Sequence, residues 1–213
     1  MLFDFDVVPK PNHYKLLVST VVPRPIAWVV TRDAAGVINA APYSFFNAFA
    51  EDPPIIALGI GPRPEGTSKD TLANIEGTRE FAVCLVPFDA VEQMSVTAAD
   101  FAPGVDEIAE AGLTTIPCAR ITPPRIAESP VALECVLHTT VPLGIHTMVL
   151  GRVLAVHVRD DAVLDPVRCH IDTPKLGLVG RMHGRAWYAR TTDLIEVKRV
   201  TAAQWAARKA GTP

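Results

Sequence analysis

The sequence predicts a mainly β (α+β) fold: an antiparallel barrel, closed or partly closed, with a few short helices. Three observations carry this expectation. Nineteen prolines cut the 213 residues into short pieces, which disfavours a helical bundle and favours strands joined by turns. Six or more runs rich in apolar and β-branched residues follow one another at short spacing. Strands do not alternate with long helices, so a doubly wound sheet is not expected.

The elements read in order as follows. Ile26 to Thr31 is a strand by its β-branched and aromatic content. Arg32-Asp33-Ala34-Ala35-Gly36 reads as a hairpin turn, and Val37 to Ala41 returns as its partner. Residues 42–54 read as a polar-aromatic loop, with Asp52-Pro53-Pro54 an extended entry to the next strand. Ile55 to Ile60 is continuously apolar, as a strand buried on both faces would be. Thr67 or Ser68 can cap a helix running to about Glu76, with Leu72 and Ile75 on its apolar side and Gly77 at its end. Phe81 to Val86 is a further strand, and helical fragments are expected near 90–99 and 105–111. Val131 to Thr140 and Thr147 to Val158 form two long strands about a turn at Pro142-Leu143-Gly144. A polar, glycine-rich segment covers 172–186, and Thr201 to Ala210 reads as a short helix.

Composition narrows the function. A net charge of −3, from 20 basic and 23 acidic residues, gives no sign of a nucleic-acid-binding face. No apolar run approaches the ~20 residues of a membrane span. Asp4 and Asp6 stand where a signal peptide would carry basic residues, so a cytoplasmic protein is the expectation. Cys84, Cys118, Cys135 and Cys169 lack C-x-x-C spacing and are each expected to be small buried hydrophobes, with no metal site. His146 and His157 are an odd number of residues apart, which on a regular strand sends them to opposite faces and disfavours a shared metal. G-x-G-x-x-G, G-x-x-x-x-G-K-[ST] and G-x-S-x-G motifs are all absent.

Two segments carry the candidate chemistry. Ser68-Lys69-Asp70-Thr71 opens a helix, where free N–H groups, two hydroxyls and an ammonium can cradle a phosphate; the same residues also suit a plain capped helix. Ser44-Phe45-Phe46-Asn47 places two aromatics that cannot face the same way in a strand, so one is expected in the core; the other suits a flat ring, with Asn47 at the ring's edge, and the segment also suits plain core packing at a strand end. His146, at the mouth of the long hairpin, is a candidate ligand contact. The run Gly180-Arg181-Met182-His183-Gly184-Arg185-Ala186-Trp187-Tyr188 suits a loop over a ligand or a partner-chain contact.

With Arg24-Pro25-Ile26-Ala27-Trp28-Val29-Val30-Thr31, Asn39-Ala40-Ala41-Pro42, Asp52-Pro53-Pro54 and His146-Thr147 before Val149-Leu150-Gly151, these motifs resemble the flavin reductase-like family of FMN-binding split barrels. That family includes flavoredoxins and the reductase components of two-component monooxygenases. The resemblance covers about Val21 to Val200, which implies a single domain over 1–213 with a short N-terminal extension and a C-terminal helix. It implies a split β-barrel homodimer with FMN near the subunit interface. Ser44, Phe45, Phe46 and Asn47 would lie along the isoalloxazine, and Ser68, Lys69 and Thr71 would hold the phosphate. Arg181 would reach the cofactor of its own or the neighbouring subunit. The implied activity is hydride transfer from NADH or NADPH to FMN, with His146 positioning the nicotinamide and a monooxygenase as a partner. Many relatives have Gly-Asp-His where this chain has Gly144-Ile145-His146, which keeps open an FMN-binding electron carrier without its own NAD(P)H oxidation. A heme-binding split barrel is a further alternative.

Overall fold

A computed structural model describes residues 1–102, 104–184 and 186–210. The strands fall where the apolar runs put them. β1 (Ala27–Arg32) and β2 (Ile38–Tyr43) form the first hairpin. β3 (Phe46–Glu51) and β4 (Pro54–Ile60) form a second, and β5 (Glu80–Leu85) stands alone between helices. β6 (Val131–Leu143) and β7 (His146–Val158) make the long hairpin, turning through Gly144 at φ 62 and Ile145. Among the described residues the largest sheet has seven strands in the order β2-β1-β5-β6-β7-β4-β3, all antiparallel.

The two edge strands of this sheet, β2 and β3, are consecutive in the chain and joined by Ser44 and Phe45 alone. The sheet must therefore curl until the end of β2 reaches the start of β3. A covalent corner closes the barrel there, held by the Gly59 amide donating to the Phe45 carbonyl at 2.7 Å. This is a split barrel. Its wall is buried on both sides: Ala27, Val29, Leu58, Phe81 and Val149 pack in one cluster, while Trp28, Val30, Ala82 and Cys84 pack in another. Alternate residues of β1 thus feed both cores, which explains its continuous apolar run. Gly151 is required by closeness, since a Cβ there would lie 2.4 Å from the Phe81 ring.

α2 (Asp70–Thr78) lies against the barrel through Ile75 and ties its flank by Asn74 donating to the Thr31 hydroxyl at 3.0 Å. Its ends differ from expectation. Neither Thr67 nor Ser68 caps it; the N-cap is Lys69, through its backbone alone. Gly77 stays helical, and the left-handed residue is Arg79 at φ 67. Arg79 takes that conformation because it is clamped to β6: its carbonyl accepts from the Leu137 amide at 2.7 Å, and its guanidinium donates back to the Leu137 carbonyl at 3.2 Å.

Other departures follow from tertiary packing. Residues 46–51, expected as loop, form the edge strand β3. The N-terminal extension contains the helix α1 (Lys10–Thr20). The glycine-rich segment 172–186 contains the strand β8 (Val179–Arg181), which pairs with Arg24-Pro25 on one side and with β9 (Tyr188–Arg190) on the other. Cys84 and Cys135 are buried as expected and Cys118 is half-buried. Cys169 is exposed, because it sits at φ 55 in the turn between two short strands. The expected helical fragments appear as α3 (Val91–Val96) and α4 (Glu107–Glu110), and the final helix as α5 (Ala202–Ala210). No described helix is long and apolar enough to cross a membrane.

Candidate functional site

Two adjoining cavities form one cleft over the outer face of β2. Pro42, Tyr43 and Ala98 line both. Strand alternation puts Asn39, Ala41 and Tyr43 on the cleft side. The roof is residues 97–101, pinned by the buried Trp28 indole donating to the Thr97 hydroxyl at 2.9 Å.

The first cavity, about 130 Å³, lies at the start of α2. Leu72 and Ala73 donate to the Lys69 carbonyl, and the helix's positive end faces the space. Lys69 lines it, and its ammonium has no hydrogen-bond or ion-pair partner among the described residues. Arg63 lines it too and pairs with Asp70 at 2.6 Å. The floor is a polar chain. α4 is capped by Asp106, which accepts from the Ile108 amide at 2.9 Å and so aims Glu107 at β2. Glu107 accepts from the Asn39 side-chain NH₂ at 2.7 Å and from the Ala40 amide at 3.2 Å. Thr71 then donates to the Asn39 Oδ1 at 2.8 Å. Burial raises the Glu107 pKa; its amide partners only partly offset this, and Asp70 adds to it.

Tyr43 stands where the cavities meet. Its hydroxyl is buried beside Thr71, and hydrogen bonding to that side chain only partly offsets the effect of burial. Burial pushes its pKa up to about 12, so it keeps its proton at neutral pH.

The second cavity, about 260 Å³, is walled by Tyr14, Ser44, Met94, Arg181 and Tyr188. The Arg181 guanidinium lies 4.7 Å from the centre of the Tyr188 ring and donates to the Gly184 carbonyl at 3.1 Å. Arg24 holds these walls together. It donates to the carbonyls of Val18 at 2.7 Å, Val21 at 2.8 Å and Met182 at 3.0 Å, and to the Ser44 hydroxyl at 3.4 Å.

The structure therefore brings Ser44, Lys69, Thr71 and Arg181 to one cleft. It divides off the others. Phe45, Phe46, Asn47 and His146 line a separate, mostly apolar cavity of about 400 Å³ on the other side of the corner. Phe45 is the partition, its ring 6.2 Å from that of Tyr14 in the cleft and 6.0 Å from that of His146. Ser68 lines neither half of the cleft; it is exposed and donates to the Lys69 carbonyl at 3.3 Å. Ile145 sits at the exposed tip of the long hairpin. Arg185 lies outside the described residues. Sequence reasoning did not single out Tyr43, Asn39, Arg63 or Glu107. The even spacing of Asn39 and Tyr43 was a usable signal; nothing local marks Glu107.

The lining suits an elongated ligand with an anion at one end and a flat ring at the other. A cation and a helix start lie at one end, polar groups at the junction, and an arginine on an aromatic ring at the other end. A model of the flavin reductase-like domain matches residues 18–171. An uncharacterized protein of Deinococcus radiodurans is 44% identical over 207 residues, covering 95% of this chain and 91% of its own. Component B of nitrilotriacetate monooxygenase from Bacillus cereus superposes with a TM-score of 0.86 at 31% identity, covering 92% of this chain and 98% of its own. The 2-nitrobenzoate 2-nitroreductase NbaA of Pseudomonas fluorescens gives 0.86 at 30% identity, covering 95% and 98%. The flavoredoxin of Desulfovibrio vulgaris, at 20% identity and a TM-score of 0.75 over 95% of this chain and 100% of its own, shares the fold. This chain belongs to the flavin reductase-like family, and so to the flavin-related oxidoreductases.

Proposed function

We propose that this protein binds FMN in the cleft beside β2 and reduces it with NADH or NADPH. The observation that carries the reading is one continuous cleft with opposite chemistry at its two ends. Lys69 and the first turn of α2 suit the phosphate, with Arg63 able to leave Asp70 for it. Arg181, Tyr188 and Ser44 suit the ring. Bound FMN supplies the hydride-accepting chemistry. The protein's part is to orient it and to place the positive charge of Arg181 where the ligand gains electrons.

A homodimer belongs to this proposal. Among the described residues no strand pairs with the outer edge of β3, and Phe49, Leu143 and Ile145 are exposed beside the apolar cavity. A second copy seated there would cover them and bring the Phe45–His146 wall near a ring in the cleft, which keeps His146 as the nicotinamide-positioning candidate. A monooxygenase as the receiver of reduced flavin follows from the likeness to a monooxygenase component. The test is anaerobic mixing of the FMN-loaded protein with NADH and with NADPH. Rapid bleaching of the flavin absorbance with either nucleotide is expected. Binding of FMN without bleaching by either supports the electron-carrier reading instead, which Ile145 in place of an acid favours.

A further inference from the structure

The end of β4 holds two glycines that its backbone does not demand. Neither Gly59 nor Gly61 has a positive φ, so any residue could adopt their conformation. Ile56, Leu58 and Ile60 face the barrel core, which puts Gly59 and Gly61 together on the opposite face. There each lies under a ring from the strand alongside. One place beyond the pair Phe46–Leu58, Gly59 stands opposite Phe45, and a Cβ on it would lie 3.0 Å from the Phe45 Cβ. One place beyond the pair Thr147–Ile60, Gly61 stands opposite His146, and a Cβ on it would lie 2.9 Å from the imidazole Nε2 and 3.2 Å from its Cδ2. The two rings, 6.0 Å apart, rest side by side on bare backbone.

The two contacts differ in what can give way. At Gly59 the obstacle is a Cβ fixed to the corner that closes the barrel, where the Gly59 amide donates to the Phe45 carbonyl at 2.7 Å. At Gly61 the obstacle is the tip of a side chain that can turn about its own bonds. Neither nitrogen of His146 has a hydrogen-bond or ion-pair partner among the described residues, so packing against Phe45 and Gly61 sets where the ring lies. We propose that Gly61 is a positioning residue for His146: by carrying no side chain it lets the imidazole lie back across β4, and so keeps open the apolar cavity that His146 lines. Resting on the reading that His146 positions the nicotinamide, this makes the bareness of Gly61 a condition for that ring's entry. A methyl group at position 61 needs about 3.5 to 4 Å from the imidazole, and drives it off β4 towards the space the nicotinamide would take.

The test compares Gly61→Ala, His146→Ala and the double variant in the full chain. Gly61→Ala should keep the melting temperature and the FMN affinity of the unaltered protein, because only a side-chain tip stands in its way. Gly59→Ala, which meets the barrel corner, should melt lower. In anaerobic mixing with NADH or NADPH, FMN-loaded Gly61→Ala should bleach at least about tenfold more slowly, the order of loss expected when a positioning group is displaced. In the His146→Ala background the same substitution should have no further effect, since the ring it displaces is gone. The ring proton resonances of His146, assigned by their loss in His146→Ala, should shift in Gly61→Ala, and this readout needs no nucleotide. Unshifted resonances would overturn the placement. An unchanged bleaching rate in Gly61→Ala overturns its role in the reaction, and so does an equal fall in rate with and without His146, as a purely structural role would give. If neither nucleotide bleaches the unaltered protein, the reductase reading fails, and the His146 resonances then decide the placement alone.

Discussion

Two buried glutamates hold peripheral loops to the barrel, and they are finished differently. Glu134, on β6, is wholly buried; it accepts from the Ala119 amide at 2.8 Å, the Arg120 amide at 2.6 Å and His157 at 2.5 Å. Burial alone would raise its pKa, but these partners together outweigh that and the net shift is downward. Glu107 also takes two N–H donors, yet burial wins and its pKa goes up. The difference is the third, ionisable partner and the acid nearby: Glu134 has His157, whereas Glu107 has Asp70 across the cavity. A carboxylate that only has to hold a loop is fully compensated. The one that borders the cleft is left in tension with its surroundings, where a ligand can still change the balance.

The largest expected effect breaks the compensated member. Glu134→Ala strands two main-chain donors and His157, and should cost about 3 to 5 kcal/mol of stability in urea unfolding. Flavin affinity of the folded fraction should not change. Next comes the cleft itself: Lys69→Ala should weaken FMN about tenfold, ~1.4 kcal/mol, in a fluorescence titration, with the melting temperature unmoved.

The pH dependence of stability sharpens the contrast, because the two signs are opposite. The lowered pKa of Glu134 contributes stability that is present above the ordinary glutamate value and is lost as pH falls through the folded value. The raised pKa of Glu107 means the folded state holds a proton more tightly than the unfolded one. Its contribution is fully present below the ordinary value and is lost as pH rises through the folded value. Urea midpoints followed from acid to neutral pH should therefore lose a rising component in Glu134→Gln and a falling one in Glu107→Gln. The smallest effect is at Tyr43: Tyr43→Phe should change the stability of the ligand-free protein by no more than about 1 kcal/mol, read from its melting temperature.

The same contrast explains what could be read from the sequence. The inner strands declared themselves, since burial on both faces leaves continuous apolar runs such as Ile55 to Ile60. β3 did not, because as an edge strand it carries Asn47, Ala48 and Glu51 with no buried face to impose a pattern. Lys69 and Thr71 were legible because a helix start is a local device. The grouping of Ser44 with Phe45 to Asn47 followed from adjacency in the chain, and the corner that closes the barrel sends Ser44 to one side and the aromatics to the other. Glu107 reaches Asn39 across 68 residues, and only the tertiary fold makes that meeting.

Arg24 has a dynamic consequence. One guanidinium bonds the end of α1, the Ser44 corner and the segment after β8, and Gly180 sits so close that a Cβ would lie 2.7 Å from the Pro23 side chain. These three stretches cannot loosen separately without stranding the same buried cation. They should open as one cooperative unit, below the free energy of global unfolding. Hydrogen exchange should then report nearly equal protection for the amides around Val21, Ser44 and Met182, and a flavin bound in the cleft should slow all three together, although they are remote in the chain.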